Sequence, residues 1–260
     1  MLRQLLLLKD ELIENRFDSS CKRLFEGAGL VISPKDIPGG SGNYLLVITP
    51  YAQALSALVN RLKDICSDHL DYLSKYSFYG RLGEAANKSS ANHMDEKSIL
   101  LDVNDEAIRY AGEVETIEYF AYGSNMDTSQ MTERCHSAKS IGVGRLVGYQ
   151  FSLDAKGVAT VQKNQDESVW GVGWNINGDD IVALDGYEGV RAYCYRHAFV
   201  QIEFENMVHD VLIYISNRAE NQGVMRQGYV EKIYDAAVQW QFPPVYQNMI
   251  GEFTNKKLMS

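Results

Sequence analysis

Two short stretches of this 260-residue chain carry residue types that could do chemistry. The first is Tyr119-Phe120-Ala121-Tyr122-Gly123-Ser124-Asn125-Met126, an aromatic, strand-like run that breaks into a Gly-Ser-Asn turn before Asp127 opens a polar, helix-competent segment. A loop delivered in this way to one end of a sheet offers backbone N–H groups and small side chains to an anionic or carbonyl-bearing ligand. Taken alone, it is equally an ordinary tight turn. The second is Leu184-Asp185-Gly186-Tyr187-Glu188-Gly189-Val190-Arg191, where a glutamate beside glycine lies between a helix end and a strand and its carboxylate can project into a cavity. For any single glutamate a solvated loop acid is the simpler reading, so the weight falls on what accompanies it.

Other combinations offer less. His136, His197 and His209 are isolated, and no His/Cys/Asp group has metal-ligand spacing, so neither a metal nor a cofactor is expected. Cys135-His136 reads as a nucleophile and base only on paper, because adjacent residues on a helix point about 100° apart. The Gly-Gly-Ser-Gly at 39–42 lacks the Lys-Ser/Thr of a Walker loop and precedes a strand, so it reads as a flexible turn.

Composition bounds the rest. Hydrophobic residues make up 45% of the chain and charged residues 23%, as in a globular protein with a real core, and length allows one large domain or two smaller ones. The formal net charge is −9, with the acidic excess mainly beyond residue 113, which argues against nucleic-acid binding. Sixteen tyrosines are many, and a hydroxyl-lined pocket is one use for them. Cys21, Cys66, Cys135 and Cys194 form no CxxC pair and read as reduced thiols in a cytoplasmic protein. The apolar run Leu5–Leu8 meets Lys9-Asp10-Glu11 too soon for a signal-peptide core or a membrane span.

The elements that position these residues fall into two regions. Residues 1–112 read as mainly helical: an amphipathic helix over 2–26 ending at Gly27 and Gly29, a loop from Pro34 to Gly42, and a strand at 44–48. A long helix capped at Thr49-Pro50 follows and carries Leu55, Leu58, Leu62, Ile65, His69 and Leu73 on one face. Residues 80–98, rich in Gly, Asn and Ser, read as a mobile loop, and Ile99–Ala111 as a short ordered piece. From Val114 strands dominate: Ile117–Tyr122, a glycine-bulged Ile141–Leu153, Val158–Val161, Val169–Trp174, Tyr195–Phe204 and Val208–Ile215. A short capped helix opens at Asp179 and a longer one spans Tyr229–Trp240. Region 113–260 is therefore expected to be an α+β domain, a small mixed β-barrel with flanking helices.

Several motifs together resemble the γ-glutamylcyclotransferase family. They are Tyr122-Gly123-Ser124-Asn125-Met126 after a strand, Trp170-Gly171-Val172-Gly173-Trp174 as a mid-domain strand, and Leu184-Asp185 followed by Glu188-Gly189-Val190. Tyr195 comes seven residues beyond that glutamate, and Tyr229 leads the last helix, with Ala237, Pro243 and Tyr246 after it. The likeness runs in order over roughly residues 115–250. It implies a compact mixed barrel in which Tyr122, Gly123, Ser124, Asn125 and Met126 hold a γ-glutamyl unit. It also implies Glu188 as the catalytic acid and base, and Tyr195, Tyr229 and, with a one-residue shift, Tyr214 as pocket tyrosines. The implied reaction closes the substrate's own α-amine onto its γ-carbonyl, releasing 5-oxoproline and an amine or amino acid.

Because that nucleophile is tethered, no serine, cysteine or metal is needed. Positioning, one carboxylate near neutral pKa and oxyanion donors suffice. The alternative is a non-catalytic binding protein on the same fold. Asn125 resembles the branch acting on γ-glutamyl amino acids or amines, and Arg191, Arg196 or Arg226 could meet a substrate carboxylate. Residues 1–112 have no counterpart in the minimal fold of that family. A structural appendage is the first choice for them, with docking on the second region, homodimer formation and partner binding as alternatives.

Overall fold

A computed structural model describes residues 1–16, 30–32, 45–47, 52–69, 72–92, 94–218 and 228–255. The expected loop at 34–42, the Thr49-Pro50 cap, the end of the first helix at Gly27 and Gly29, and Arg226 lie outside these residues. The chain divides into two compact units, Met1–Glu115 and Thr116–Ser260. Among the described residues no helix is long and apolar enough to cross a membrane.

The first unit comprises α1 (Leu2–Ile13), the antiparallel pair β1 (Leu30–Ile32) and β2 (Leu45–Val47), α2 (Ala52–Cys66), α3 (Tyr72–Ala91) and α4 (Glu96–Ala111). Strand β1 was not among the sequence expectations, and the unit departs from them in three further places. The first helix ends at Ile13 instead of reaching residue 26, and the left-handed Asn15 (φ 57°) turns the chain away. The second stops at Cys66 and passes into a 3₁₀ turn over Ser67–His69, where Ser67 Oγ donates to the Asp64 carbonyl at 3.1 Å and competes with the helical pattern.

The third departure corrects the mobile loop expected over 80–98. Most of that stretch is helix, because Phe78, Leu82, Ala86 and Ser89 recur at helical spacing and are buried together. Its Gly, Asn and Ser content misled. Ser89 donates to Asp102 of α4, and Arg81 pairs with Glu106 at 2.5 Å and with Glu113. Asp95 then caps α4 by accepting from the Ser98 N–H at 3.0 Å. Within this unit Lys9 is fully buried, its Nζ 2.5 Å from Asp105.

The second unit is a closed five-stranded barrel in the order β3-β5-β4-β6-β7, with flanking helices, as expected. Its strands are β3 (Ile117–Ala121), β4 (Lys139–Leu153), β5 (Ala159–Ile176), β6 (Tyr195–Phe204) and β7 (Met207–Ser216). Neighbours pair antiparallel except β3 and β7, which run parallel where Tyr119 faces Leu212 and closes the barrel. The two separate strands expected at 158–161 and 169–174 are one. Residues 162–168 are polar and largely exposed, yet Gln162, Lys163 and Ser168 pair with Gln150, Tyr149 and Val147 of β4, and 164–167 fall at the register shift between Val147 and Tyr149. Register shifts in β4 fall between Ser140 and Gly142 and between Val147 and Tyr149, where Gly142 (φ 131°) and Gly148 (φ 79°) let the strand bend.

The helices of this unit are α5 (Thr128–Arg134), α6 (Gly178–Glu188), α7 (Tyr229–Gln239) and α8 (Pro244–Asn255). Tyr229 therefore heads the penultimate helix, not the last. Pro244 opens α8, which packs Tyr246 and Ile250 into the core.

Candidate active site

Strand β3 ends at Ala121, and the chain turns through Gly123 into a 3₁₀ turn over Ser124–Met126. That turn uses the N–H groups of Met126 and Asp127, which bond to the carbonyls of Gly123 and Ser124 at 3.0 and 3.1 Å. The amides of Gly123, Ser124 and Asn125 lie outside those two bonds. Asp127 then caps α5, its carboxylate accepting from the Gln130 N–H at 2.7 Å.

Glu188 is the last residue of α6. The helix begins with a capping box, Asn177 and Asp180 each accepting from the other's backbone N–H. It ends at Gly189 in the left-handed region (φ 65°), and a Cβ there would stand 3.2 Å from Cys194 Cβ. The helix end is thus fixed, and the glutamate is aimed at the loop. Asn125 Nδ2 lies 3.1 Å from Glu188 Oε1 and 3.0 Å from the Tyr119 hydroxyl, while Asn125 Oδ1 accepts from Arg134 at 2.7 Å and from Gln130 at 3.2 Å.

Together these residues form one side of a cavity of about 280 Å³, near the lower end of small-molecule pockets. Tyr122, Gly123, Ser124, Asn125, Glu188, Tyr195, Tyr214 and Tyr229 all line it. Met126 is the exception among the expected site residues. Its side chain is fully buried in the core, and its carbonyl takes the Trp240 indole N–H at 2.8 Å, so it anchors the loop from behind.

Burial pushes the Glu188 carboxyl up to about 7. Arg134 and the Asn125 hydrogen bond pull it back down, and Asp185, one turn earlier on α6, adds to the rise. Burial also raises the phenols of Tyr119, Tyr122, Tyr195 and Tyr214 and takes Tyr229 up to about 12, so the walls stay neutral. Their hydroxyls are held in place. Tyr122 donates to the Tyr214 carbonyl and Tyr195 to the Ala159 carbonyl at 2.7 Å, while Tyr229 Oη accepts from the Ala159 N–H at 3.2 Å. Tyr214 donates to Asp185 Oδ1 at 2.7 Å, and His197 Nε2 sits 2.8 Å from the same oxygen.

The arrangement joins a carboxyl group poised to exchange protons near neutrality, backbone N–H groups next to it, and a neutral hydroxyl-rich wall. Among the described residues no group of His, Cys, Asp and Glu side chains is placed to hold a metal ion. Cys135 and His136 form no dyad: burial raises the Cys135 thiol to about 12, while the exposed His136 contacts the Thr132 carbonyl at 3.2 Å. Arg191 and Arg196 are not cavity residues.

The AIG2-like family model matches residues 168–250. Over 93 residues the chain is 37% identical to the γ-glutamylcyclotransferase of Mus musculus, a match covering 32% of this chain and 50% of that one. The human γ-glutamylcyclotransferase is 33% identical over 91 residues, 31% of this chain and 48% of its own. A solved γ-glutamyl cyclotransferase structure is 25% identical with a TM-score of 0.50, covering 53% of this chain and 87% of the other. The second unit is a γ-glutamylcyclotransferase-family domain. The chain spans about half the length of the curated relatives it matches.

Within this cyclotransferase-family domain the cavity also contains Tyr119 and Tyr187, which lie in the two quoted stretches but had no expected site role, together with Arg134, Cys194 and Arg218. Arg134 had a usable signal. It stands four residues after Gln130 on α5, so both reach one face and converge on Asn125. Arg218 had none, because it lies just beyond β7 and its place in the cavity depends on partners distant in sequence, among them Asp154.

Proposed function

We propose that the cyclotransferase-family domain converts a γ-glutamyl amide or peptide to 5-oxoproline and a free amine or amino acid. The observation that carries this reading is the 3.1 Å hydrogen bond between loop residue Asn125 and a carboxyl group, Glu188, held at about 7 inside a tyrosine-walled cavity. A carboxyl tuned to neutrality can take a proton and return it within one turnover.

In this mechanism the Glu188 carboxylate accepts a proton from the substrate's α-ammonium group. The freed amine attacks the γ-carbonyl carbon, forming the new C–N bond of a five-membered ring, and the carbonyl π electrons move onto oxygen. The amides of Gly123 to Asn125 donate to that oxyanion. Glu188, now protonated, gives its proton to the departing nitrogen as the oxyanion's electrons re-form the carbonyl and the old C–N bond breaks; the regenerated carboxylate then takes the second proton from the ring nitrogen and passes it to solvent, completing the lactam. The cavity's contribution is to hold the chain folded back on itself, which replaces a bimolecular encounter.

The deciding experiment measures 5-oxoproline release from γ-glutamyl-alanine, γ-glutamyl-lysine amide and glutathione. Turnover of at least one is expected for the wild-type chain, with a loss of about 10²–10⁴-fold in Glu188→Gln. Equal turnover in the variant would remove Glu188 from the mechanism.

A further inference from the structure

The cavity holds two guanidinium groups, and they have different attachments. Arg134 is committed to the loop: it donates to Asn125 Oδ1 at 2.7 Å and its guanidinium carbon lies 4.4 Å over the Tyr187 ring. Its charge acts on Glu188. Arg218 belongs to another wall. Its Nε faces Asp154 Oδ2 at 3.2 Å, and its guanidinium carbon lies 6.0 Å over the Tyr195 ring.

Asp154 is fully buried and built to hold that arginine. One oxygen accepts from the N–H groups of Lys156 at 2.8 Å and Val158 at 3.2 Å, and the other accepts from Ser216 Oγ at 2.8 Å. The Arg218 backbone N–H in turn donates to Ser216 Oγ at 3.1 Å. The ion pair is a charge contact at Nε without a hydrogen bond, and among the described residues the two terminal nitrogens of Arg218 donate none either. An arginine gripped from behind, partly exposed and lining a cavity is a carboxylate receptor: its fork geometry matches two carboxylate oxygens at once.

The substrate has a carboxylate for each arginine. Its glutamyl α-carboxylate is bonded to the carbon that bears the attacking amine, so it must stay beside Glu188 and the loop, where Arg134 is. A carboxylate on the leaving amino acid lies across the scissile bond from it, and on this reading the wall that Arg218 shares with Tyr195 is the one left to meet it. We infer that Arg218, which faces Asp154, is the residue that binds the free carboxylate of the leaving amino acid and so tells a γ-glutamyl amino acid from its amide. This rests on the cyclotransferase reading for the direction in which the substrate lies.

The test uses the full chain and two ligands that differ only in that carboxylate, γ-glutamyl-alanine and γ-glutamyl-alanine amide. In wild type, kcat/KM for the acid should exceed that for the amide by about ten- to a hundredfold, and in Arg218→Met the ratio should fall to near one. A ratio that survives in Arg218→Met, or that is near one in wild type, overturns the inference. If Arg218→Met loses its fold by circular dichroism, Arg218→Gln takes its place with the same expected loss.

Binding is read separately by titration calorimetry in Glu188→Gln and Glu188→Gln/Arg218→Met. If wild type turns over neither compound, calorimetry decides the carboxylate site alone, and the cyclotransferase reading fails only if γ-glutamyl-lysine amide and glutathione are not turned over either. Tighter binding of the acid that disappears with Arg218→Met upholds it; equal binding of the two ligands, or no binding, overturns it.

Discussion

Asn125 Nδ2 and Glu188 Oε1, sixty-three residues apart in sequence, are joined by a 3.1 Å hydrogen bond that ties the loop after β3 to the end of α6. The same amide nitrogen reaches Tyr119, and the amide oxygen takes donors from Arg134 and Gln130. Asn125 is therefore the hub that sets where the carboxylate points. Asn125→Ala should leave the barrel folded and lower kcat by about ten- to a hundredfold, because misplacement of the proton-transfer group by a fraction of an ångström is costly. Steady-state kinetics on γ-glutamyl-alanine check this, and an unchanged kcat would show that Glu188 is aimed by α6 alone.

The pH dependence follows from what faces Glu188. The carboxylate form is the one that accepts the ammonium proton, so kcat/KM should rise with pH through about 7. Arg134 stabilises that anion, and removing its charge must raise the pKa. Arg134→Met is expected to move the acidic limb toward higher pH and to lower activity most below pH 7. A profile from pH 5 to 9 decides it. A limb that stays in place would mean that the group titrating is not Glu188.

How much of this was legible in the chain differs between the two units. Alternating apolar strands and capped turns from residue 117 onward gave the barrel strands nearly to the residue, because each strand buries one face and each turn has its own chemistry. The join of two expected strands into β5 was hidden, since exposed polar residues carry no periodicity when only the backbone is paired. In the first unit the small polar residues of α3 looked like loop until their buried stripe was seen against α4. The motif residues of the site came from resemblance. Asp154 and Arg218 could not, because their meaning depends on which strand ends the barrel brings together.

Glu188 also carries a stability consequence. Its folded-state pKa of about 7 lies above the ordinary carboxylate value of 4.5, so between those pH values the folded chain binds more protons than the unfolded chain. Stability from this group is therefore present below about pH 4.5 and declines as pH rises through 7. Glu188→Gln removes the ionisation. It should raise the melting temperature at pH 8, by a stability increment on the order of 2 kcal/mol, and have little effect at pH 4.5. Calorimetric melts at the two pH values test the sign, and a gain that is independent of pH would point to packing instead of charge.

The pair Lys9–Asp105 in the first unit invites a different test, because both side chains are buried, 0% and 6% exposed, and 2.5 Å apart. Taking one partner away leaves the other's charge inside a helical core without its ion pair, whereas removing both takes the two charges out together. Lys9→Met should cost about 3–5 kcal/mol, and Lys9→Met/Asp105→Leu should recover most of it. Denaturant unfolding of wild type and the single and double variants gives the coupling directly. If the double variant is as unstable as the single, the pair holds α1 and α4 in register in a way apolar packing cannot replace. If the single variant matches wild type, water reaches Asp105 and the pair is not the closed contact its geometry describes.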